Sequence, residues 1–200
     1  MSLTAGVVAV QGDVAEHADA ITRAADAHGR EVEVFEVRRS GLVPDCDLLS
    51  MPGGESTTIS RLVHREGIAE EIVAHVEAGK PLLATCAGLI VASRDAKDDR
   101  VEPLGVLDVA VDRNAFGRQR DSFETALDVV GLDEPFPAVF IRAPAIAAVG
   151  AGVEVLAEYD GRPVAVRAGP VLGTAFHPEL TDDGRIHDLA FFERPTARSG

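Results

Sequence analysis

Tryptophan is absent from this 200-residue chain, which carries only 1 tyrosine, 2 methionines and 2 cysteines. Two thiols, Cys46 and Cys86, exclude a disulfide framework and fit a reducing cytoplasm. No run of about 18 apolar residues exists, so a transmembrane helix and membrane association are not expected. The opening Met1-Ser2-Leu3-Thr4 lacks the basic-then-apolar order of a secretory signal. Positive charge is scarce: 19 basic residues face 33 acidic ones, Lys80 and Lys97 are the only lysines, and no basic run exceeds Arg38-Arg39. Nucleic-acid binding, which needs clustered Lys and Arg to replace counterions, is thereby excluded. A net charge of −14 fits either a chain adapted to high salt or an ordinary acidic cytosolic protein.

What is there is enough for a core. Hydrophobic residues make up 46% of the chain, and no linker or repeat divides it. One domain over 1–200 is expected, with 194–200 a loose tail. The first half alternates strand and helix patterns. Residues 6–10 (GVVAV) read as a strand covered on both faces. Asp13 is placed to cap a helix in which Val14, His17, Ala18, Ile21, Ala24 and Ala25 recur at helical spacing, ending at Gly29. Strands are expected over 32–37, 48–51 and 81–85, and helices over 58–64, 67–78 and 86–96. This order implies right-handed crossovers and a mainly parallel sheet. The second half reads as strands with short connections over 106–111, 123–130, 138–141, 153–159, 164–167 and 171–175, then a helix over 185–192. The expected fold is a three-layer α/β/α class with a mainly parallel central sheet plus antiparallel strands.

Three segments could carry chemistry. Cys86 lies in LLATCAGLI, where an apolar strand meets a helix, as in a nucleophile elbow. A helix starting there aims free N–H groups and a positive dipole end at the sulfur. A buried structural cysteine is the plain alternative. His177 and Glu179 lie in AFHPEL after an apolar strand. A carboxylate beside an imidazole fixes its tautomer and frees Nε2 as a base, although His-x-Glu alone is more often a surface ion pair. Residues 52–56 (PGGES) place two glycines after a strand, where backbone N–H groups can serve as oxyanion donors or simply form a turn. No Gly-Lys-Ser/Thr follows, so this is not a P-loop. Together the segments describe thiol-based acyl transfer, with Cys86, His177 and Glu179 as a triad.

The combination resembles the class I, triad-type glutamine amidotransferases, and more closely the glutaminase subunits of pyridoxal 5'-phosphate synthase. The carrying stretches are 6–17 (GVVAVQGDVAEH), 52–59 (PGGESTTI), 85–90 (TCAGLI), 113–123 (RNAFGRQRDSF), 140–144 (FIRAP) and 176–181 (FHPELT). The resemblance implies hydrolysis of L-glutamine through a γ-glutamyl thioester on Cys86, with His177 as base and acid and Glu179 orienting it. It implies oxyanion donors at Gly54 and Ala87, and glutamine contacts from Gly54, Glu55, Ser56, Arg113, Ile141 and Arg142. Physically, either arginine suits a carboxylate clamp. Gln11 and Gly12, at the same sheet edge, are expected to couple the site to the partner. That partner would be a TIM-barrel synthase subunit in a twelve-plus-twelve assembly, receiving ammonia. No metal and no cofactor are implied. Ala84 departs from the Gly usual before Thr-Cys. Cys46 is expected in the core and His28, His64, His75 and His187 on solvent-facing helix surfaces, while His17 falls within the matching stretch and is explained equally by helix packing. A glutaminase of another amidotransferase pathway and a non-catalytic scaffold of the same fold are the rival readings.

Overall fold

The computed structural model describes residues 2–12, 14–113 and 122–193. The expected cap Asp13, positions 114–121 of the 113–123 stretch and the tail 194–200 lie outside the described residues.

The alternating first half forms strand β1 (Leu3–Val8), helix α1 (Val14–Ala27), β2 (Val32–Val37), β3 (Leu48–Met51), α2 (Ser56–Arg65), α3 (Ala69–Glu77), β4 (Leu82–Thr85) and α4 (Ala87–Ala92). The second half adds β5 (Ser93–Asp95), β6 (Leu107–Asp112), β7 (Ser122–Leu127), β8 (Phe136–Ile141), β9 (Ala145–Val149), β10 (Glu154–Tyr159), β11 (Arg162–Ala168), β12 (Val171–Thr174) and α5 (Arg185–Phe191). A seven-stranded sheet runs in the order β10-β11-β12-β4-β3-β1-β2. Its strands from β12 to β2 are parallel, and β11 and β10 extend it antiparallel. Two smaller sheets, β5-β6-β9 and the β7-β8 hairpin, sit beside it.

Burial explains the layering. The central strands β3, β4 and β12 are buried along their full length, as continuous apolar runs require when helices cover both faces. In β1, Ala5 and Val7 pack with Ile21 of α1, while Val8 joins the larger core on the other face. Helices α1 and α5 share one face, and α2, α3 and α4 pack on the other. A Cβ on Gly88 would lie 2.1 Å from the Met51 carbonyl oxygen, so the absence of a side chain lets α4 approach the backbone after β3. Ala84, the departure from the resembled pattern, pairs in regular register with Met51 and Gly173.

Several sequence expectations need correction. The strand expected over 6–10 is Leu3–Val8, and the chain leaves the sheet after Ala9 donates to the Val37 carbonyl. The helix expected over 86–96 stops at Ala92, because Ser93–Asp95 pairs with β6 and Ser93 Oγ closes on the Ile90 carbonyl. Strand β9 was not foreseen; it pairs antiparallel with β6. His187 and His75 are not solvent-facing. His187 is fully buried against α1, with its ring beside His17. His75 continues the buried stripe of Ala69 and Ile72, and its Nε2 lies 3.1 Å from the Pro81 carbonyl oxygen. His64 is half-buried beside the Glu102 carbonyl. His28 is exposed, stacking on Phe192 and pairing with Asp188.

Candidate active site

Four loops leave the carboxyl ends of parallel strands at one edge of the sheet: those after β1, β3, β4 and β12. Strand order reverses between β1 and β3, and α/β sheets form ligand crevices at such a switch point. The cleft here has a volume of ≈ 510 Å³. It is lined by Gln11, Gly54, Glu55, Ser56, Cys86 and Ala87 on the parallel-strand side, with His177 beside them. Ile90, Arg113, Ile141, Arg142 and Pro144 complete it. Every residue of the sequence-derived site except Glu179 and Gly12 thus reaches one cavity.

Cys86 occupies the single turn between β4 and α4 with φ 51° and ψ −110°, a conformation rarely adopted by a residue with a side chain. That strained elbow holds the sulfur at the mouth of α4, and the residue is 8% exposed. Its own N–H donates to the Thr174 carbonyl at 2.8 Å, locking the elbow to the strand that leads to His177. Cys46, by contrast, is wholly buried in the core, and burial pushes its thiol up to about 11 against the charge of Lys80.

His177 follows β12 and is pinned by its N–H to the Val139 carbonyl at 2.8 Å. Its Nδ1 lies 2.6 Å from Oε1 of Glu179. A 3-10 turn over Pro178–Leu180 delivers Glu179 to the ring. Burial pulls the imidazole pKa down. Hydrogen bonds to Cys86 and Glu179, with the charges on both, outweigh it and raise the ring to about 10. Glu179 is 3% exposed and sits behind the ring, not in the cleft.

Gly53, the first glycine of the 52–56 turn, is crowded by both partners. A Cβ there would lie 2.8 Å from His177 Cε1 and 3.3 Å from the Cys86 Cβ. Gly54 has φ 139°, and a Cβ on it would meet Gln11 Oε1 at 2.8 Å. Gln11 Oε1 accepts the Glu55 N–H at 2.6 Å, tying the loop after β1 to the loop after β3. Gly12 supports the same join: at φ 104°, a Cβ would come 2.1 Å from the Gly53 carbonyl oxygen.

Glu55 caps α2, accepting from the N–H groups of Thr57 and Thr58 and from both their hydroxyls. Partial burial opposes ionisation, but these bonds overcome it and hold the carboxyl at about 2. Arg113 reaches Asp98 through Nη1 at 2.7 Å and Glu55 through Nη2 at 3.4 Å. Asp98 carried no motif in the sequence; only the fold brings it to Arg113. Hydrogen bonds from Arg100 and then Arg113 hold it well below the usual carboxylate range. Arg142 lines the cleft from a positive φ of 42°. Ser56 Oγ is buried with no hydrogen-bond partner, an open polar group in the cleft wall. Among the described residues no group of three His, Cys, Asp or Glu is placed to hold a metal ion. No described helix is long and apolar enough to cross a membrane.

The fold is shared with solved glutamine amidotransferases. A solved structure described as a glutamine amidotransferase is 45% identical and superposes with a TM-score of 0.82 over 93% of this chain and 96% of its own. The structure of PurLQS from Thermotoga maritima, 20% identical with a TM-score of 0.64, shares the fold over 93% of this chain and 92% of its own. The chain matches the model of the SNO glutamine amidotransferase family over residues 7–195 and belongs to that family. The pyridoxal 5'-phosphate synthase subunit PdxT of Haloarcula marismortui is 74% identical over 193 residues, covering 96% of this chain and 98% of the relative. Its counterpart from Methanosarcina mazei is 55% identical over 187 residues, covering 91% and 94%.

Proposed function

We infer that this chain is the glutamine-hydrolysing subunit of a pyridoxal 5'-phosphate synthase, with Cys86, His177 and Glu179 carrying the reaction. The observation that supports this most is the meeting of the Cys86 elbow with the His177–Glu179 pair at one cleft edge. Ionised Glu179 fixes the proton on Nδ1 of His177 and leaves Nε2 to Cys86. Once the Cys86 proton has passed to Nε2, the sulfur attacks the γ-carboxamide carbon of glutamine. Backbone N–H groups of Gly54 and Ala87 hold the resulting oxyanion, worth roughly 10²–10³ in rate for one such donor. Collapse breaks the C–N bond as Nε2–H protonates the leaving amine, and ammonia departs from the thioester. A water that gives its proton to Nε2 attacks the thioester, releasing glutamate and the Cys86 sulfur.

Arg113 and Arg142 clamp the substrate α-carboxylate, and Asp98 holds Arg113 in aim. Glu55 stays anionic beside the α-ammonium, and the unpartnered Ser56 hydroxyl is free to bond substrate. The ammonia acceptor is a separate TIM-barrel synthase subunit, and the family resemblance supports a twelve-plus-twelve assembly. Gln11 and Gly12 couple the two, since they brace the loop that presents Gly54. Unbridged thiols fit a cytoplasmic setting.

The test is reconstitution with a barrel-type synthase, a pentose phosphate and a triose phosphate. Amide-labelled glutamine should place its nitrogen in the product. The Cys86→Ala variant should bind the partner, lose glutamine-dependent product and keep product formation from ammonium salt. Ammonia release from glutamine by that variant would overturn the assignment.

A further inference from the structure

Behind the triad lies a second imidazole that the mechanism above does not use. His17 of α1 is fully buried beneath the strand ends. Ala20, Ile21 and Ala24 form the rest of its helix face, where an aliphatic side chain would fill the space without the cost of burying a polar ring. Both ring nitrogens are addressed. Nδ1 lies 3.0 Å from Ser50 Oγ and 3.4 Å from His187 Nε2. Nε2 lies 3.2 Å from Thr85 Oγ1 and 3.5 Å from Oε2 of Glu179.

That last oxygen accepts no hydrogen bond, although its twin Oε1 is held at 2.6 Å by His177. A carboxylate only accepts, so the ring nitrogen facing it must carry the hydrogen. With the hydrogen on Nε2, shared between Thr85 Oγ1 and Oε2 of Glu179, Nδ1 is an acceptor for the Ser50 hydroxyl, so one neutral tautomer suits both sides of the ring. Burial, then the charges of His187 and His177, hold His17 well below its ordinary pKa, so the ring stays neutral. At 3.5 Å the contact is a dipole–charge interaction and not a full hydrogen bond, and the burial of both side chains leaves it less screened than it would be at the surface.

We propose that His17 is a positioning residue for the triad: its Nε2–H steadies Oε2 of Glu179 so that Oε1 stays on Nδ1 of His177. This rests on the triad reading given above. The chain of contacts runs Cys86, His177, Glu179, His17, with Ser50 and His187 beside Nδ1 at its far end.

The test uses the full chain assembled with its synthase partner, and three variants: His17→Leu, His17→Gln and His17→Asn. Steady-state glutamine hydrolysis gives kcat and KM, and alkylation of Cys86 by chloroacetamide across pH gives the midpoint of thiol reactivity. His17→Leu should lower kcat about 10- to 100-fold with KM within about twofold, as for loss of a contact to a buried charge. The alkylation midpoint should rise by about one pH unit, since a loosened Glu179 stabilises the imidazolium less. Gln carries an N–H to the Nε2 position and should restore both readouts; Asn is too short and should not. Should the Leu variant fail to fold, the Gln–Asn contrast decides. Equal kcat and equal midpoints in Gln and Asn, or a Leu variant like the parent, would overturn the proposal. A His177→Gln control separates the two levels: if it leaves Cys86 alkylation unchanged, the triad reading itself fails.

Discussion

Replacing Gly53 by alanine would test the site at its tightest point. The added Cβ would sit 2.8 Å from His177 Cε1, against an ordinary contact of 3.4 Å or more, so the ring must retreat by about 0.6 Å. It has little room to do so: the backbone N–H of His177 is held by the Val139 carbonyl and the ring Nδ1 by Glu179. The methyl would also press on the Cys86 Cβ from 3.3 Å, so the two groups are wedged apart. Misplacing a reacting group by about 1 Å costs on the order of 10²-fold in rate, so kcat for glutamine hydrolysis should fall about 10- to 100-fold. Overpacking of this kind costs about 1–3 kcal/mol, which a chain of this size absorbs without unfolding. Gly53 does not line the cleft, so KM should change less than about twofold. The assay is steady-state ammonia release by the assembled complex, with thermal unfolding run alongside. Parental kcat in a folded Gly53→Ala protein would refute the geometry claimed for Cys86 and His177.

Stability should peak near neutral pH for two opposed reasons. Burial, then the charge of Arg23, lowers His187 to about 3, so the unfolded chain binds the proton first as pH falls below about 6.5. Stability from this group is whole above about 6.5 and declines towards pH 3 by about 5 kcal/mol, and His187→Phe should flatten that limb in denaturant titrations. His177 has the opposite sign: raised to about 10, its contribution is whole below about 6.5 and is lost as pH rises through about 10. With a net charge of −14, the melting temperature should rise between about 0.1 M and about 2 M KCl; a salt-independent value would show that self-repulsion is not significant.

The parallel half of the fold was legible because its strands are short, largely apolar runs punctuated by Gly29, Gly53, Gly54 and Gly79. The second half was read less well. Residues 93–95 fit a helix by pattern, and only pairing with β6 makes them a strand. The Ala145–Val149 strand has two buried residues followed by three exposed apolar ones, so no alternation marks it. The site was legible wherever a local motif carried it: the elbow, the double glycine and His-Pro-Glu. Asp98 beside Arg113, the crowding of Gly53 by His177 and Cys86, and the Gln11–Glu55 bond were not, because these contacts arise between loops distant in sequence. His187 and His75 were misread since a helical pattern alone does not show which histidines the packing buries.

The central claim, that Cys86 is the nucleophile for glutamine, is tested most directly by a glutamine-like diazo-ketone and peptide mass mapping of the assembled complex. The account predicts one adduct, on Cys86, that excess glutamine prevents and that His177→Gln slows severely. Modification of Cys46 instead, or an unmodified Cys86 in a complex that is consuming glutamine, would contradict it.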